Sequence, residues 1–214
     1  MRKRVFSKED VIEAALAVAR QEGLSQVTAR RVADQLGAST APVYSNFPTM
    51  EALTDAVKQA AARELLALTR RSHTEDAFLN IGIGVLTFVW QTPKLYADLF
   101  LSPHEGYDSA SDILDELLGA TASLPELEPL DQAERTVVLK KMAVFTHGLA
   151  IEICHGCAEA CTLDVLVLLL SEVGRAVVAD ARQRHPRTAA EAALLDHLWG
   201  DAPHATHHAK DEMP

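Results

Sequence analysis

The chain is expected to be all-α: an N-terminal three-helix helix-turn-helix domain, joined by a long fourth helix to a larger C-terminal helical bundle that dimerises. Three observations predict the helical class. No stretch sustains the period-two alternation with β-branched enrichment that a half-buried strand needs. Glycines and prolines fall between apolar-periodic segments rather than throughout them. Hydrophobic residues make up 48% of the 214 residues, enough to fill a sizeable core.

The first helix begins at Ser7, where Ser7-Lys8-Glu9-Asp10 is a near capping box with Asp10 in place of the usual Glu or Gln. Val11, Ile12, Ala15, Leu16 and Ala19 form its apolar stripe, and Gly23 is a stop signal. Thr28 is placed to cap a second short helix, Ala29–Leu36. Gly37 suits the left-handed backbone of a tight turn. Ser39 or Thr40 is the expected cap of a third short helix, with Pro42 in its first turn, where a missing N–H costs little. This helix stops near Phe47-Pro48, and Thr49 caps a long fourth helix reaching about Arg70. Further helices are expected at roughly 74–92, 93–101, 110–122, 131–155, 162–182 and 188–198. The domains predicted are residues 1–48, 49–200, and a disordered polar tail at 201–214.

The net charge of −10, taken alone, argues against a nucleic-acid partner. Its distribution argues otherwise. Arg2, Lys3, Arg4, Lys8, Arg20, Arg30 and Arg31 make the first 50 residues net basic, while the remainder is strongly acidic. A basic head on an acidic body fits a DNA-binding domain fused to one with another task.

Two short helices joined by a glycine-containing turn, after a longer helix, describe a helix-turn-helix. Beyond that pattern, TARRVADQLGASTAPVYSNFPTMEALTDAV resembles the N-terminal domain of the TetR family of regulators over about residues 7–58. Thr28, Val32-Ala33, Leu36-Gly37, Ser39, Val43-Tyr44, Phe47 and Glu51-Ala52-Leu53 carry the resemblance. Met50 departs from it, standing where the family usually places a lysine that contacts phosphate.

In such a motif the start of the second short helix enters the major groove. Ser39, Thr40, Ala41, Pro42, Tyr44 and Ser45 lie around that start and its outer face. Ala41 and Pro42 are suited to thymine methyls, and Thr40 to base edges. Tyr44, Asn46 and Thr28 are candidate phosphate donors, with Arg30, Arg31 and Lys58 as candidate charged contacts. One head reads only a few base pairs, so a double-stranded operator with two-fold symmetry calls for a homodimer.

Leu163–Leu170 is apolar at every position but Asp164, and 131–155 carries Val137, Val138, Leu139, Met142, Phe145, Leu149, Ile151 and Ile153. Helices apolar nearly all round are buried nearly all round. Helices about 131–155 and 162–182 are therefore the expected dimer interface, as the resemblance also implies.

Aromatic residues concentrate between 78 and 145. Pockets are mostly apolar with a few polar groups, so Phe88, Trp90, Phe100, His104, Tyr107 and His147 are the candidate contacts for a small-molecule effector. The main reading is a repressor released from DNA by an organic molecule. An alternative keeps the head but senses a metal ion or oxidant through Cys154, Cys157 and Cys161, which would share one face of a continuous helix. Gly156 argues against that continuity.

No P-loop, dinucleotide loop, nucleophile elbow or zinc-protease motif is present, so neither enzymatic activity nor a cofactor is expected. The start MRKRVFSKED lacks the apolar region of a secretory signal. The longest apolar run, Val165–Leu170, falls far short of the ~20 residues of a membrane helix. Three cysteines do not form a disulfide framework. A cytoplasmic protein without membrane contact is expected.

Overall fold

The computed structural model describes residues 5–101, 113, 116–117, 119–121, 124–128, 130–156, 161–183 and 190–191. Every regular element among them is helical: α1 (Lys8–Glu22), a 3₁₀ turn (Leu24–Gln26), α2 (Ala29–Leu36), α3 (Ala41–Asn46), α4 (Met50–Thr69), α5 (Ala77–Gln91), α6 (Pro93–Phe100), a second 3₁₀ turn (Pro125–Leu127), α7 (Gln132–Cys154) and α8 (Leu163–Gln183). Ile113, Glu116, Leu117 and residues 119–121 are also helical, inside the stretch expected at 110–122. The expected helix at 188–198 and the tail at 201–214 fall almost entirely outside the described residues.

Local chemistry sets the helix ends. The Ser7 hydroxyl accepts from the Asp10 N–H at 3.1 Å, and the Asp10 carboxylate accepts from the Ser7 N–H at 2.8 Å, completing the capping box. Thr28 caps α2 through the Arg31 N–H, and Thr49 caps α4 through the Ala52 N–H. Gly37 sits in the left-handed region at φ +63°, where its N–H closes the end of α2. One expected cap differs. Thr40 precedes α3, but its backbone is already helical and its side chain makes no capping bond. A capping residue needs extended backbone to fold its oxygen over the first turn, and the turn after Gly37 delivers Thr40 in the wrong conformation.

Two packed regions share one continuous core. In the first, Val11, Ala15, Val32, Val43, Phe47 and Leu53 are buried where α1, α2, α3 and the start of α4 meet. In the second, α5 packs on α4, α6, α7 and α8. α4 contributes to both through Leu53, Val57, Ala61, Leu65 and Leu68, all buried. A short connection joins α7 to α8, and Lys141 pairs with Asp180 at 3.8 Å far from that connection, so the two helices run antiparallel.

Gly84 fixes the α4–α5 crossing. A Cβ there would stand 2.5 Å from the backbone of Leu68 and Thr69, so the two helix backbones meet with no side chain between them. α1 packs on α6. There the Lys94 ammonium donates to the Gln21 carbonyl at 3.1 Å, and the Asp98 carboxylate accepts from the Leu24 N–H at 2.5 Å.

Candidate nucleic-acid interface and effector cavity

The helix-turn-helix presents a polar face on an apolar base. Val32, Val43 and Phe47 are buried and hold α2 against α3. On the opposite side Ser39, Thr40, Ala41, Tyr44 and Ser45 are exposed and Pro42 is half-buried. Tyr44 is 58% exposed. Thr28 and Arg30 are exposed nearby. The structure thus brings these sequence-predicted residues onto one accessible end of the molecule.

Three others already have intramolecular roles. The Asn46 amide donates to the Pro42 carbonyl at 2.9 Å and to the Phe6 carbonyl at 3.3 Å, tying the chain before α1 to α3. Arg31 is ion-paired with Glu22. Lys58 is half-buried and engaged within the chain. Arg2, Lys3 and Arg4 lie outside the described residues.

Within the bundle, α4 to α8 surround a cavity of about 540 Å³. Its wall is mainly apolar and includes Leu65, Phe78, Val85, Leu139, Met142 and Val178. Phe100 and His147 line it, as the sequence suggests. Phe88 and Trp90 do not. Phe88 is buried in the core, and Trp90, two residues on, is 40% exposed on the other side of α5. Because α5 is apolar almost all round, its sequence does not separate these faces. His104 and Tyr107 lie outside the described residues.

One pole of the cavity is a tyrosine–histidine pair. The Tyr96 hydroxyl and His147 Nδ1 are 2.8 Å apart, and the Tyr96 ring packs on Phe100 with centroids 4.7 Å apart. Burial, with the Cys154 thiol nearby, pushes the Tyr96 phenol well above its usual value. Burial also lowers His147, so its imidazole is neutral at physiological pH.

The other pole lies where α5 begins and α8 ends. The Ala77 N–H donates to Glu126 Oε1 at 2.9 Å, and the Arg182 guanidinium donates to the Glu126 carbonyl. Asp76, Lys140 and Arg175 line the cavity as well. Sequence reasoning missed this pole entirely. Glu126 lies in a proline-bounded connection, where a carboxylate reads as surface.

Cys154 and Cys161 do not share a helix face. α7 ends at Cys154, Gly156 turns with φ +74°, and Cys161 precedes α8. Cys154 donates its thiol to the Pro93 carbonyl at 3.4 Å, and burial raises its pKa. Cys154 carries a free thiol, and Cys157 lies outside the described residues. Among the described residues no three His, Cys, Asp or Glu side chains are grouped to hold a metal ion. No described helix is long and apolar enough to cross a membrane.

Residues 11–57 match the family described as bacterial regulatory proteins, tetR family. No curated protein matches the chain in sequence. Its fold is similar to that of a TetR-like transcriptional regulator from Rhodococcus sp. RHA1, with a TM-score of 0.59 and 18% identity over 84% of this chain and 99% of that one. It is also similar to a tetR-family transcriptional regulator from Streptomyces coelicolor, with a TM-score of 0.60 and 16% identity over 89% of this chain and 95% of that one. A TetR variant from Acinetobacter baumannii AYE, in complex with minocycline, aligns with a TM-score of 0.50 and 18% identity over 85% of this chain and 98% of that one. The N-terminal helix-turn-helix thus matches the model of the tetR family of bacterial regulatory proteins, and the chain as a whole shares the fold of these regulators.

Proposed function

We propose that the protein is a homodimeric repressor that leaves a palindromic operator when a small organic molecule enters the bundle cavity. One observation carries this reading: the same chain pairs an exposed recognition face, Ser39 to Ser45, with an apolar cavity of about 540 Å³ reached from α4, the helix that follows that face. A cavity of this size is within the range of small-molecule sites. A ligand that binds one setting of the head better than another shifts the population toward it.

Dimerisation rests on α7 and α8. Val144, Val165, Leu168 and Leu169 are exposed on these helices, with Leu168 at 57%. Apolar side chains clustered on two antiparallel helices favour a second copy of the same surface, giving a four-helix interface. Two heads on that axis would meet successive major grooves about 34–36 Å apart.

The test is a fluorescence anisotropy titration at physiological salt, with duplex DNA from upstream of the protein's own gene and a scrambled duplex as control. Tight binding to the first that survives competitor, with two subunits per duplex, is expected. If selection over random genomic fragments also yields no preferred duplex, the repressor reading fails.

A further inference from the structure

We infer that the effector is an elongated apolar molecule whose hydrogen-bond donor head, an ammonium or a hydroxyl, binds Glu126 Oε2. This rests on the proposal that the cavity is the effector site, and specifies the chemistry that the site selects.

Among the described residues, Glu126 Oε2 is a buried side-chain oxygen without a hydrogen-bond partner, and Glu126 lines the cavity. Its sister oxygen is committed to the Ala77 N–H. A buried acceptor left unmet destabilises the empty protein, and a ligand that supplies a donor removes that penalty. A carboxylate head would instead meet a carboxylate in a confined space.

The cations nearby do not reverse this preference. Arg182 gives one N–H to the Glu126 backbone carbonyl and is exposed, so water and salt weaken its pull on an anion. Arg175 is exposed, where water and salt weaken its attraction for an anion. Lys140 is half-buried and already engaged within the chain.

The shape follows from the helices. Lys141 pairs with Asp180 near the end of α8, so Lys140 marks the Glu126 side of α7, while His147 marks the opposite pole. The seven-residue step along α7 from Lys140 to His147 rises about 10 Å. The rest of the wall is mainly apolar, with Phe78, Val85, Met142 and Leu170. An apolar body about that long places its head at Glu126 and its far end beside Tyr96.

Three probes with one apolar body separate the possibilities: octylamine, 1-octanol and octanoate, titrated calorimetrically into the full-length protein below their micellar concentrations. Octylamine and 1-octanol are expected to bind about tenfold or more tightly than octanoate, the effect of satisfying or opposing one buried acceptor. Glu126→Gln keeps the side chain's shape and an oxygen for Ala77 but turns a donor toward the cavity. It should bring the ratio to one or below. Octanoate binding native protein as tightly as octylamine, or an unchanged ranking in Glu126→Gln, overturns the inference.

Ala143→Phe, which fills the cavity from α7, separates this from failure of the cavity reading. If it binds DNA normally but none of the probes, the cavity is the site whatever the ranking. If it binds octylamine as the native protein does, the cavity reading falls, and the head-group assignment with it.

Discussion

The Asp98 carboxylate of α6 accepts the Leu24 backbone N–H just past α1, at 2.5 Å. This joins the helix-turn-helix to the bundle through a charged acceptor and a main-chain donor. A Cβ on Gly23 would lie 2.8 Å from the same carboxylate oxygen, and Gly23 has φ +98°, so the loop is shaped to let Asp98 in. Asp98→Ala leaves the Leu24 N–H without this acceptor. The expected loss is about 1–3 kcal/mol, read from the midpoint of urea unfolding. The same variant should bind operator but respond less to effector, because a link between bundle and head is gone.

Gly84→Ala should be more damaging than its single methyl suggests. The new carbon would meet backbone atoms of Leu68 and Thr69 at 2.5 Å, and backbone cannot rotate away as a side chain can. Overpacking of this kind costs about 1–3 kcal/mol or more. Chemical denaturation should show the loss, whereas Gly119→Ala, at a helical position with nothing within 4 Å of its Cβ, should be neutral or slightly stabilising.

Tyr44→Phe should weaken operator binding several-fold, the worth of one phosphate hydrogen bond of about 0.5–1.5 kcal/mol. The hydroxyl is uncharged, so the slope of log affinity against log salt should stay the same. Arg30→Gln, by contrast, should lower that slope by about one if Arg30 contacts phosphate. Anisotropy titrations at several salt concentrations distinguish the two.

His147 gives a stability change with a definite sign. Its pKa in the folded protein lies below the unfolded value because burial disfavours the imidazolium. Over the interval between them the unfolded chain binds more protons, so stability rises with pH. The full contribution is present above the unfolded value of about 6.5 and is lost as pH falls toward the folded one. His147→Gln should flatten this part of the stability–pH curve, measured by thermal unfolding at pH 5, 6, 7 and 8.

Leu168→Glu puts a charge in the centre of the proposed α7–α8 interface. Sedimentation velocity should show a shift from dimer to monomer at micromolar concentration, and operator affinity should fall because two heads no longer bind together. A variant that stays dimeric would place the interface elsewhere.

The helical ends were legible because they depend on neighbouring residues. Ser7, Thr28 and Thr49 each cap the helix they precede, and Gly37 closes α2 as its position suggests. The inward residues of the short helices are legible too, since Val32 and Leu36, and Val43 and Phe47, each stand four apart beside polar neighbours. Thr40 was misread because the preceding turn, not the residue type, decides its backbone. The cavity was only partly legible. Phe100 and His147 line it, but Phe88 and Trp90 sit on a helix whose apolar residues point everywhere. Glu126 was invisible because its burial comes from α5 and α8, far away in sequence.

The bare contact at Gly84 also sets how motion travels. Side chains at a helix crossing act as a compliant gasket that absorbs small displacements by changing rotamer. At this crossing the two backbones bear directly on each other, so α5 and the end of α4 behave as one stiff joint. The 20 residues of α4 form a rod beginning just after the recognition helix. Over its length of about 30 Å, a tilt of about 5° at the joint swings the far end by about 2.5 Å. Subtle rearrangement in the cavity wall would therefore arrive, magnified, at the groove of the DNA.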